Sequence, residues 1–134
     1  MDPPVQVTAG VVSRAGSVLA CQRPTGGAHP GRWEFPGGKV EQGETLEMGM
    51  RRELQEELGI DAVVGPLLWQ TQFQYPGRGP FALTFFGIRT WTGKVTNRCF
   101  AAMRWMPIAN LGALDFLEAD REFIGALIGG QIRL

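Results

Sequence analysis

The sequence is poor in the residues that build zinc sites and disulfide frameworks. Its 134 residues include one histidine and two cysteines, and Cys21 and Cys99 stand far apart without a Cys-x-x-Cys pair. Regularly spaced cysteines are the feature that identifies disulfide scaffolds and zinc ribbons in a sequence. We therefore expect neither a disulfide nor a zinc site, and we predict that Cys21 is a small core residue.

Net charge and long apolar runs are also missing. Thirteen basic residues balance thirteen acidic ones, whereas binding to duplex nucleic acid or to an anionic membrane needs a basic surface. No stretch approaches the roughly 18 apolar residues of a membrane-spanning helix. The opening MDPPVQV has no basic segment followed by an apolar run. We expect a cytoplasmic protein that binds neither membranes nor duplex nucleic acid.

What remains predicts a single α+β domain over residues 1–134. Apolar residues make up 44% of the chain, enough for a core, and no repeat or linker divides it. Apolar, β-branched runs predict five strands, at residues 5–12, 18–23, 67–75, 81–91 and 102–106. Helical periodicity predicts helices at residues 45–58 and 116–128. In the second helix the residues expected to face inward are Phe116, Phe123, Leu127 and Ile128.

The predicted helix at 45–58 carries a row of carboxylates beside its apolar face. The apolar residues, which would pack on the sheet, recur every four positions and are Leu46, Met50, Leu54 and Leu58. Glu53, Glu56 and Glu57 fall on the adjoining arc, where like charges repel one another unless a cation lies among them. Mg²⁺ prefers oxygen ligands and commonly binds one or two carboxylates together with substrate phosphates. The helix therefore predicts a metal site.

Two neighbouring features would complete such a site. Glycines let a backbone approach closely, so a carbonyl of Gly37 or Gly38 could reach the metal. Arg52 lies four residues before Glu56, a spacing at which the two side chains pair on a helix and the carboxylate is held in position. Gly59 is expected to end the helix.

These residues belong to one longer pattern, which spans residues 38–60. The order Gly-x5-Glu-x7-Arg-Glu-U-x-Glu-Glu-x-Gly-U, where U is apolar, is met at every fixed position from Gly38 to Ile60. The chain thereby resembles the Nudix hydrolases. Arg23-Pro24, the segment Trp33-Glu34-Phe35-Pro36 and Trp105 are similar to the MutT branch of that family, which removes damaged nucleoside triphosphates from the DNA precursor pool.

The resemblance implies a fold, a cofactor and a reaction. The fold is an α/β/α sandwich with a mixed sheet, in which the pattern of residues 38–60, the Nudix box, forms a loop-helix-loop. The cofactor is Mg²⁺ or Mn²⁺, and the reaction hydrolyses a nucleoside triphosphate to a monophosphate and pyrophosphate. The implied metal ligands are a carbonyl of Gly37 or Gly38 and the carboxylates of Glu56 and Glu57, and Glu53 is implied to be a further ligand or the general base. Arg52 is implied to orient the glutamates, and Glu44 to support the metal ligands without binding the metal itself. The implied substrate-binding residues are Arg23, Glu34, Phe35, Arg78 and Asp120.

One departure from the MutT branch keeps other activities open. Many members carry a further glutamate on a loop before the aromatic strand, and here the matching position holds Cys99, with no carboxylate between Thr92 and Trp105. A Nudix module that binds a nucleotide without cleaving it is therefore an alternative. So is hydrolysis of another phosphoanhydride, such as CTP or dCTP, ADP-ribose, a dinucleoside polyphosphate or an RNA 5′ end, because the box reads only the diphosphate.

Asp120 is the best indication of the substrate. By resemblance it opens the C-terminal helix where the branch places an Asn or Asp that reads the base. An ionised Asp accepts hydrogen bonds only, so it would favour an oxidised guanine first, cytosine second, and uracil or thymine least. The alternative is that Asp120 caps the helix. The preferred sugar, the metal used in the cell, and the choice between monomer and homodimer stay open.

Overall fold

The computed structural model describes residues 3–134, which form nine strands and three helical segments. The strands are β1 (Val5–Arg14), β2 (Ser17–Gln22), β3 (Trp33–Glu34), β4 (Gly37–Lys39), β5 (Asp61–Val63), β6 (Leu67–Phe73), β7 (Phe81–Ile88), β8 (Thr90–Thr92) and β9 (Ala102–Pro107). The helices are α1 (Leu46–Leu58) and α2 (Glu118–Ile128), with a 3₁₀ segment at Ile108–Ala113. No helix in this part of the chain is long and apolar enough to span a membrane.

The strands form one large mixed sheet and one small one. In the large sheet the order is β3-β2-β1-β7-β6, with β4 paired to β1 and β9 paired to β2. The β1–β7 pair is parallel and the other pairs are antiparallel, so the sheet is mixed as predicted. Strands β5 and β8 form the small antiparallel sheet.

The large sheet is covered by a helix on each face. Along β2, Val18 and Ala20 belong to one buried cluster, whereas Leu19 and Cys21 belong to the other. Alternate residues of a strand point to opposite faces, so the two clusters lie on opposite sides of the sheet. Helix α2 packs in the first cluster and α1 in the second. The predicted α+β fold with three layers is confirmed.

Helix α1 has the ends that its sequence predicts. The Thr45 hydroxyl accepts a hydrogen bond from the Met48 amide at 3.1 Å, and Gly59 ends the helix in the left-handed region with φ of 69°. Both are common helix caps. Met50, Leu54 and Leu58 are fully buried, so the carboxylate arc beside them is held in a fixed orientation to the sheet.

Two predicted elements differ from the structure. The expected strand at 81–91 is interrupted at Arg89, because its last residues leave the large sheet and pair with β5. Helix α2 begins at Glu118 rather than at Phe116, which is buried but forms a β-bridge with Trp33. Ile128 was predicted to face inward and is 44% exposed, so that prediction is wrong: the residue is the last of the helix, at its exposed end.

Candidate active site

The glycine pair brings the backbone of β4 against α1. Gly37 and Gly38 pair with Ala9 and Thr8 of β1, and a Cβ at Gly37 would collide with the Thr8 carbonyl oxygen. A Cβ at Gly38 would lie 2.7 Å from the Glu53 carboxyl carbon. The missing side chain at Gly37 therefore allows β4 to lie close to β1, and the missing side chain at Gly38 allows the Glu53 carboxylate to lie directly on β4.

Glu57 is fixed to the same strand. Its Oε1 accepts a hydrogen bond of 2.9 Å from the Gly37 amide. Burial and, next, the negative charge of Glu53 raise the pKa of Glu57 from its usual 4.5 to about 8. Two carboxyl groups that are brought together away from water resist joint ionisation, and a cation between them would relieve that cost.

Arg52 joins the carboxylates of the box into a network. Its Nε and Nη2 donate to the two Glu44 oxygens at 2.8 and 3.0 Å. Its Nη1 donates to Glu53 at 3.0 Å and to Glu56 at 3.3 Å. The Lys39 carbonyl accepts a further bond from Nη2 at 2.9 Å. The guanidinium fork thus fixes the box loop and the helix relative to each other.

Glu56 is placed differently from the other two helix carboxylates. Its side chain is 58% exposed and bound to Arg52, whereas Glu53 and Glu57 are largely buried against the glycine strand. Among residues 3–134, no three acidic, histidine or cysteine side chains already converge as a metal-ligand set. The ligand roles of Glu53, Glu56, Glu57 and the glycine carbonyls stay predictions.

One cavity contains every residue that was predicted to bind substrate. Its volume is about 540 Å³, and it is lined by Gly37 and Gly38 together with the five predicted side chains, Arg23, Glu34, Phe35, Arg78 and Asp120. These residues come from four separate parts of the sequence. The fold therefore brings the glycine strand of the box and the predicted substrate residues to a single opening.

Arg23 and Glu34 are paired in this cavity. Arg23 Nη1 donates to the two Glu34 oxygens at 3.1 and 3.0 Å, and its Nε donates to the Ala28 carbonyl at 2.8 Å. Burial raises the pKa of Glu34 and the Arg23 charge opposes that rise. The pair places one oriented positive charge at the cavity while holding the loop that follows β2.

Asp120 has no polar partner of its own. The residue is 4% exposed, and its carboxyl group forms no hydrogen bond to any residue that the structure describes. Burial and, next, the charge of Glu34 raise its pKa well above the usual value. Burial therefore favours the neutral acid in the free protein, whereas the substrate preference predicted from the sequence assumed an ionised carboxylate.

The alternative prediction, that Asp120 caps the N-terminus of α2, is wrong. Leu117 is the N-cap residue of α2, and no side chain caps the helix from that position. Asp120 lies within the first turn and lines the cavity. A buried acid that is not used by the helix remains available to a ligand.

Phe35 is mainly a core residue. It is 3% exposed, and its ring lies 5.2 Å from Phe116, 5.7 Å from Phe123 and 6.1 Å from Phe85, measured between centroids. It borders the cavity, but most of its surface is already covered by these rings. Its predicted contact with a base stays a prediction.

The two cysteines are both free, as expected. Cys21 is buried and Cys99 is exposed. Burial and, next, the negative charge of Glu57 raise the pKa of the Cys99 thiol to about 11, with smaller contributions from Glu34 and Glu53. Cys99 therefore lies on the carboxylate side of the molecule as a neutral thiol, and a neutral thiol is a weak ligand for a hard cation.

Two cavity residues were not among the predicted site residues. Tyr75 and His29 both line the cavity, and their rings lie 4.5 Å apart. His29 has positive φ, 50°, in the loop between β2 and β3. Neither residue belongs to the box. The one available signal was that Tyr75, the only tyrosine, directly precedes the Pro-Gly turn between two predicted strands.

Known proteins resemble this chain over most of its length. The NUDIX domain family model matches residues 3–127. The 8-oxo-dGTP diphosphatase of Escherichia coli (strain K12) is 32% identical over 124 residues, covering 92% of this chain and 95% of that protein. The CTP pyrophosphohydrolase of the same strain is 43% identical over 74 residues, 55% of each. The solution structure of the E. coli ORF135 protein has a TM-score of 0.84 at 31% identity, covering 95% of this chain and 90% of that one.

These matches extend well beyond the glutamate-rich helix. The family model runs from before β1 to within α2, so it includes the strands and loops that line the cavity. The sequence resemblance drawn from the box and from the Trp33–Pro36 segment is confirmed. The chain belongs to the NUDIX domain family, as a Nudix hydrolase of the MutT-like branch.

Proposed function

We propose that this protein hydrolyses an oxidised guanine nucleoside triphosphate to the monophosphate and pyrophosphate, and so cleans the nucleotide pool of the cytoplasm. One observation carries the proposal. A single cavity is lined both by the glycine strand on which Glu53 and Glu57 lie and by the unpartnered acid Asp120. The carboxylates on the glycine strand suit a triphosphate bound through a metal ion, and Asp120 suits hydrogen bonding to a base.

The carboxylates fit a hard divalent cation. Glu53 and Glu57 supply oxygen donors on a strand without side chains, and their mutual repulsion is what a cation would relieve. Mg²⁺ or Mn²⁺ bound there, with Gly37 or Gly38 and Glu56 as further predicted ligands, would neutralise phosphate charge and lower the pKa of bound water. The curated 8-oxo-dGTP diphosphatases lend support as relatives.

The chain itself would position the phosphates and take up a proton. Glu53 is the better general base than Glu44, because Arg52 occupies both oxygens of Glu44 but only one of Glu53. In the reaction, water attacks phosphorus, the phosphoanhydride P–O bond breaks, and the water proton passes to Glu53. Arg52 keeps that carboxylate in place, and Arg23 and Arg78 supply positive charge at the cavity.

The raised pKa of Asp120 changes the argument about the base, because burial favours the neutral form of the acid. A protonated carboxyl group offers one donor and one acceptor. Oxidation of guanine at C8 places a hydrogen on N7 beside the O6 acceptor, which matches that pair, whereas unoxidised guanine presents two acceptors there. Uracil and thymine also offer an N–H beside a carbonyl. The proposal therefore concerns oxidised over normal guanine, and selection against those pyrimidines no longer follows from hydrogen bonding.

CTP or dCTP is the second candidate substrate. Cytosine places its N4 amino donor beside the N3 acceptor, which a neutral acid also matches. The 43% identity to a CTP pyrophosphohydrolase, over 55% of the chain, supports this candidate. The larger coverage of the 8-oxo-dGTP diphosphatase, 92% of the chain, makes the oxidised guanine nucleotide our first choice.

The test is a screen of nucleotides for pyrophosphate release with Mg²⁺ or Mn²⁺ and with a chelator. We expect release to require the metal and to be fastest with the oxidised guanine nucleotide. Fastest release from CTP or dCTP would replace the first candidate with the second. Tight nucleotide binding without release of any product would mean that the protein is a binding module.

A further inference from the structure

Tyr75 connects three segments around the cavity. It follows β6, and its ring lies 4.5 Å from His29 and is stacked on Phe81, the first residue of β7, at 6.0 Å. Its hydroxyl oxygen accepts a hydrogen bond of 3.2 Å from the Ala119 amide in the first turn of α2. The loop after β2, the β6–β7 hairpin and α2 thus meet at one side chain.

The start of α2 needs such a contact. The first amides of a helix have no partner within the helix, and the N-cap residue here, Leu117, provides no side-chain acceptor. The Leu117 amide donates to the Trp33 carbonyl at 3.0 Å. The Ala119 amide is satisfied by Tyr75 alone among the described residues. Because Asp120 comes next in the same turn, the Tyr75 bond fixes the backbone from which its carboxyl group extends.

We infer that Tyr75 is a positioning residue for base selection, whose hydroxyl holds the first turn of α2 so that Asp120 faces the cavity in one orientation. The inference rests on the proposed role of Asp120 in reading the base. A buried polar group selects strongly between ligands only when its direction is fixed. The ring of Tyr75 packs on its neighbours, and the hydroxyl carries the connection to α2.

The test uses Tyr75→Phe, which removes one oxygen and leaves the ring. The ratio of kcat/KM for oxidised dGTP to that for dGTP should fall roughly fivefold, the effect of one hydrogen bond. Thr71→Val is the matched control, because it removes a hydroxyl from β6, the strand that precedes Tyr75, outside the cavity, and it should leave the ratio unchanged. An unchanged ratio in Tyr75→Phe would overturn the inference.

A double variant distinguishes positioning from direct contact with the base. If the hydroxyl acts through Asp120, then Tyr75→Phe should have no further effect on the ratio in an Asp120→Ala background. The same fivefold loss in both backgrounds would show that the hydroxyl contacts the base itself, and the positioning role would be wrong.

Hydrogen exchange of the free protein provides a readout that needs no substrate. The Ala119 amide should exchange several-fold faster in Tyr75→Phe than in the wild type, while amides at the C-terminal end of α2 are unchanged. Equal exchange at Ala119 would overturn the inference. A wild type without any preference for oxidised guanine would instead refute the proposed base selection, and exchange at Ala119 would then decide whether Tyr75 holds the turn.

Discussion

The two ends of the cavity are built in opposite ways. At the glycine strand, Arg52 alone binds Glu44, Glu53, Glu56 and the Lys39 carbonyl, and Glu57 is bound by the Gly37 amide. At the Asp120 end, a buried acid has no hydrogen-bond partner among residues 3–134, and the cavity around it is lined mainly by aromatic and apolar side chains, with Arg78 and the Arg23–Glu34 pair among its charged groups.

This difference between the two ends indicates that one end sets the rate of hydrolysis and the other selects the base. A network of charges fixed before substrate arrives suits stabilisation of phosphate chemistry, which is the same for every nucleotide. An unsatisfied acid gains its hydrogen bonds only from a ligand of matching pattern, so it suits discrimination between bases. Changes at the first end should therefore lower the rate with every substrate, and changes at the second should alter the ranking of substrates.

The largest effect is expected from the two half-buried helix carboxylates, Glu53 and Glu57. Glu53→Gln and Glu57→Gln should each lower kcat by about 10²–10⁴, because each removes a charge where a proton or a cation must be held. Steady-state kinetics on the preferred nucleotide measure this loss. Glu47→Gln, an exposed carboxylate on the first turn of the same helix, is the control. Near wild-type rates in both variants would contradict the assigned site.

Arg52→Lys should have the next largest effect. Lysine keeps the positive charge but cannot bind Glu44 through two parallel bonds while also reaching Glu53. We expect kcat to fall about 10–100-fold, by the same factor for oxidised dGTP and for dGTP. Arg51→Lys, whose side chain pairs with Asp61 on the exposed face, should be neutral. A fall in kcat for only one of the two nucleotides would contradict the separate roles of the two ends.

Two substitutions of Asp120 test whether the Asp120 end of the cavity selects the base. Asn offers a donor and an acceptor as the neutral acid does, so Asp120→Asn should keep the preference for oxidised guanine within about threefold. Asp120→Ala should reduce that preference roughly tenfold or more. The measured quantity is the ratio of kcat/KM values. Loss of the preference in Asp120→Asn would show that Asp120 acts as a carboxylate after all.

The raised pKa of Glu57 predicts a pH dependence of the metal-free protein. An acid whose pKa is higher in the folded than in the unfolded state binds its proton more tightly when folded. Its contribution is therefore lost as pH rises from its usual pKa of 4.5 to about 8. With a chelator present, the free energy of unfolding should fall by about 1–3 kcal/mol across this range.

Glu57→Gln isolates that contribution. Gln does not titrate, so the variant should lose less stability between pH 5 and 8 than the wild type does, and the difference between the two curves gives the Glu57 effect. Denaturant unfolding at several pH values measures it. Parallel curves for the two proteins would contradict the raised pKa of Glu57.

The smallest effect is expected at Cys99. Its thiol is neutral, with a pKa raised to about 11, so Cys99→Ser should change kcat by less than about twofold. Cys99→Glu tests whether a carboxylate at this loop adds to the site, and an increased rate is expected because the side chain lies on the side of Glu53 and Glu57. A large loss in Cys99→Ser would show that the thiol has a role.

The two ends also differ in how much of them the sequence predicted. The box residues lie on one helix and its preceding loop, so spacing alone placed Glu53, Glu57 and Arg52 on one side. The family pattern made the fold predictable as well. The exposed position of Glu56 was not predictable, since it depends on which carboxylates Arg52 binds in three dimensions.

The Asp120 end depends on contacts between distant segments. The burial of Asp120 follows from the packing of α2 on the sheet, and its raised pKa follows from that burial. The Tyr75 contact joins residues that are 44 positions apart, and no local pattern indicates such a pairing. The interruption of the predicted strand 81–91 at Arg89 also depends on a distant contact. The pairing of β8 with β5 overrides the local strand propensity there.

The most direct test of the separation is one set of kcat/KM values, measured with Mg²⁺ for oxidised dGTP and dGTP on the wild type, Glu53→Gln and Asp120→Ala. We predict that Glu53→Gln lowers both values by the same large factor and keeps their ratio. Asp120→Ala should reduce the ratio roughly tenfold or more while the dGTP value stays within about twofold of wild type. The opposite pattern, with the ratio lost in Glu53→Gln and kept in Asp120→Ala, would contradict the account.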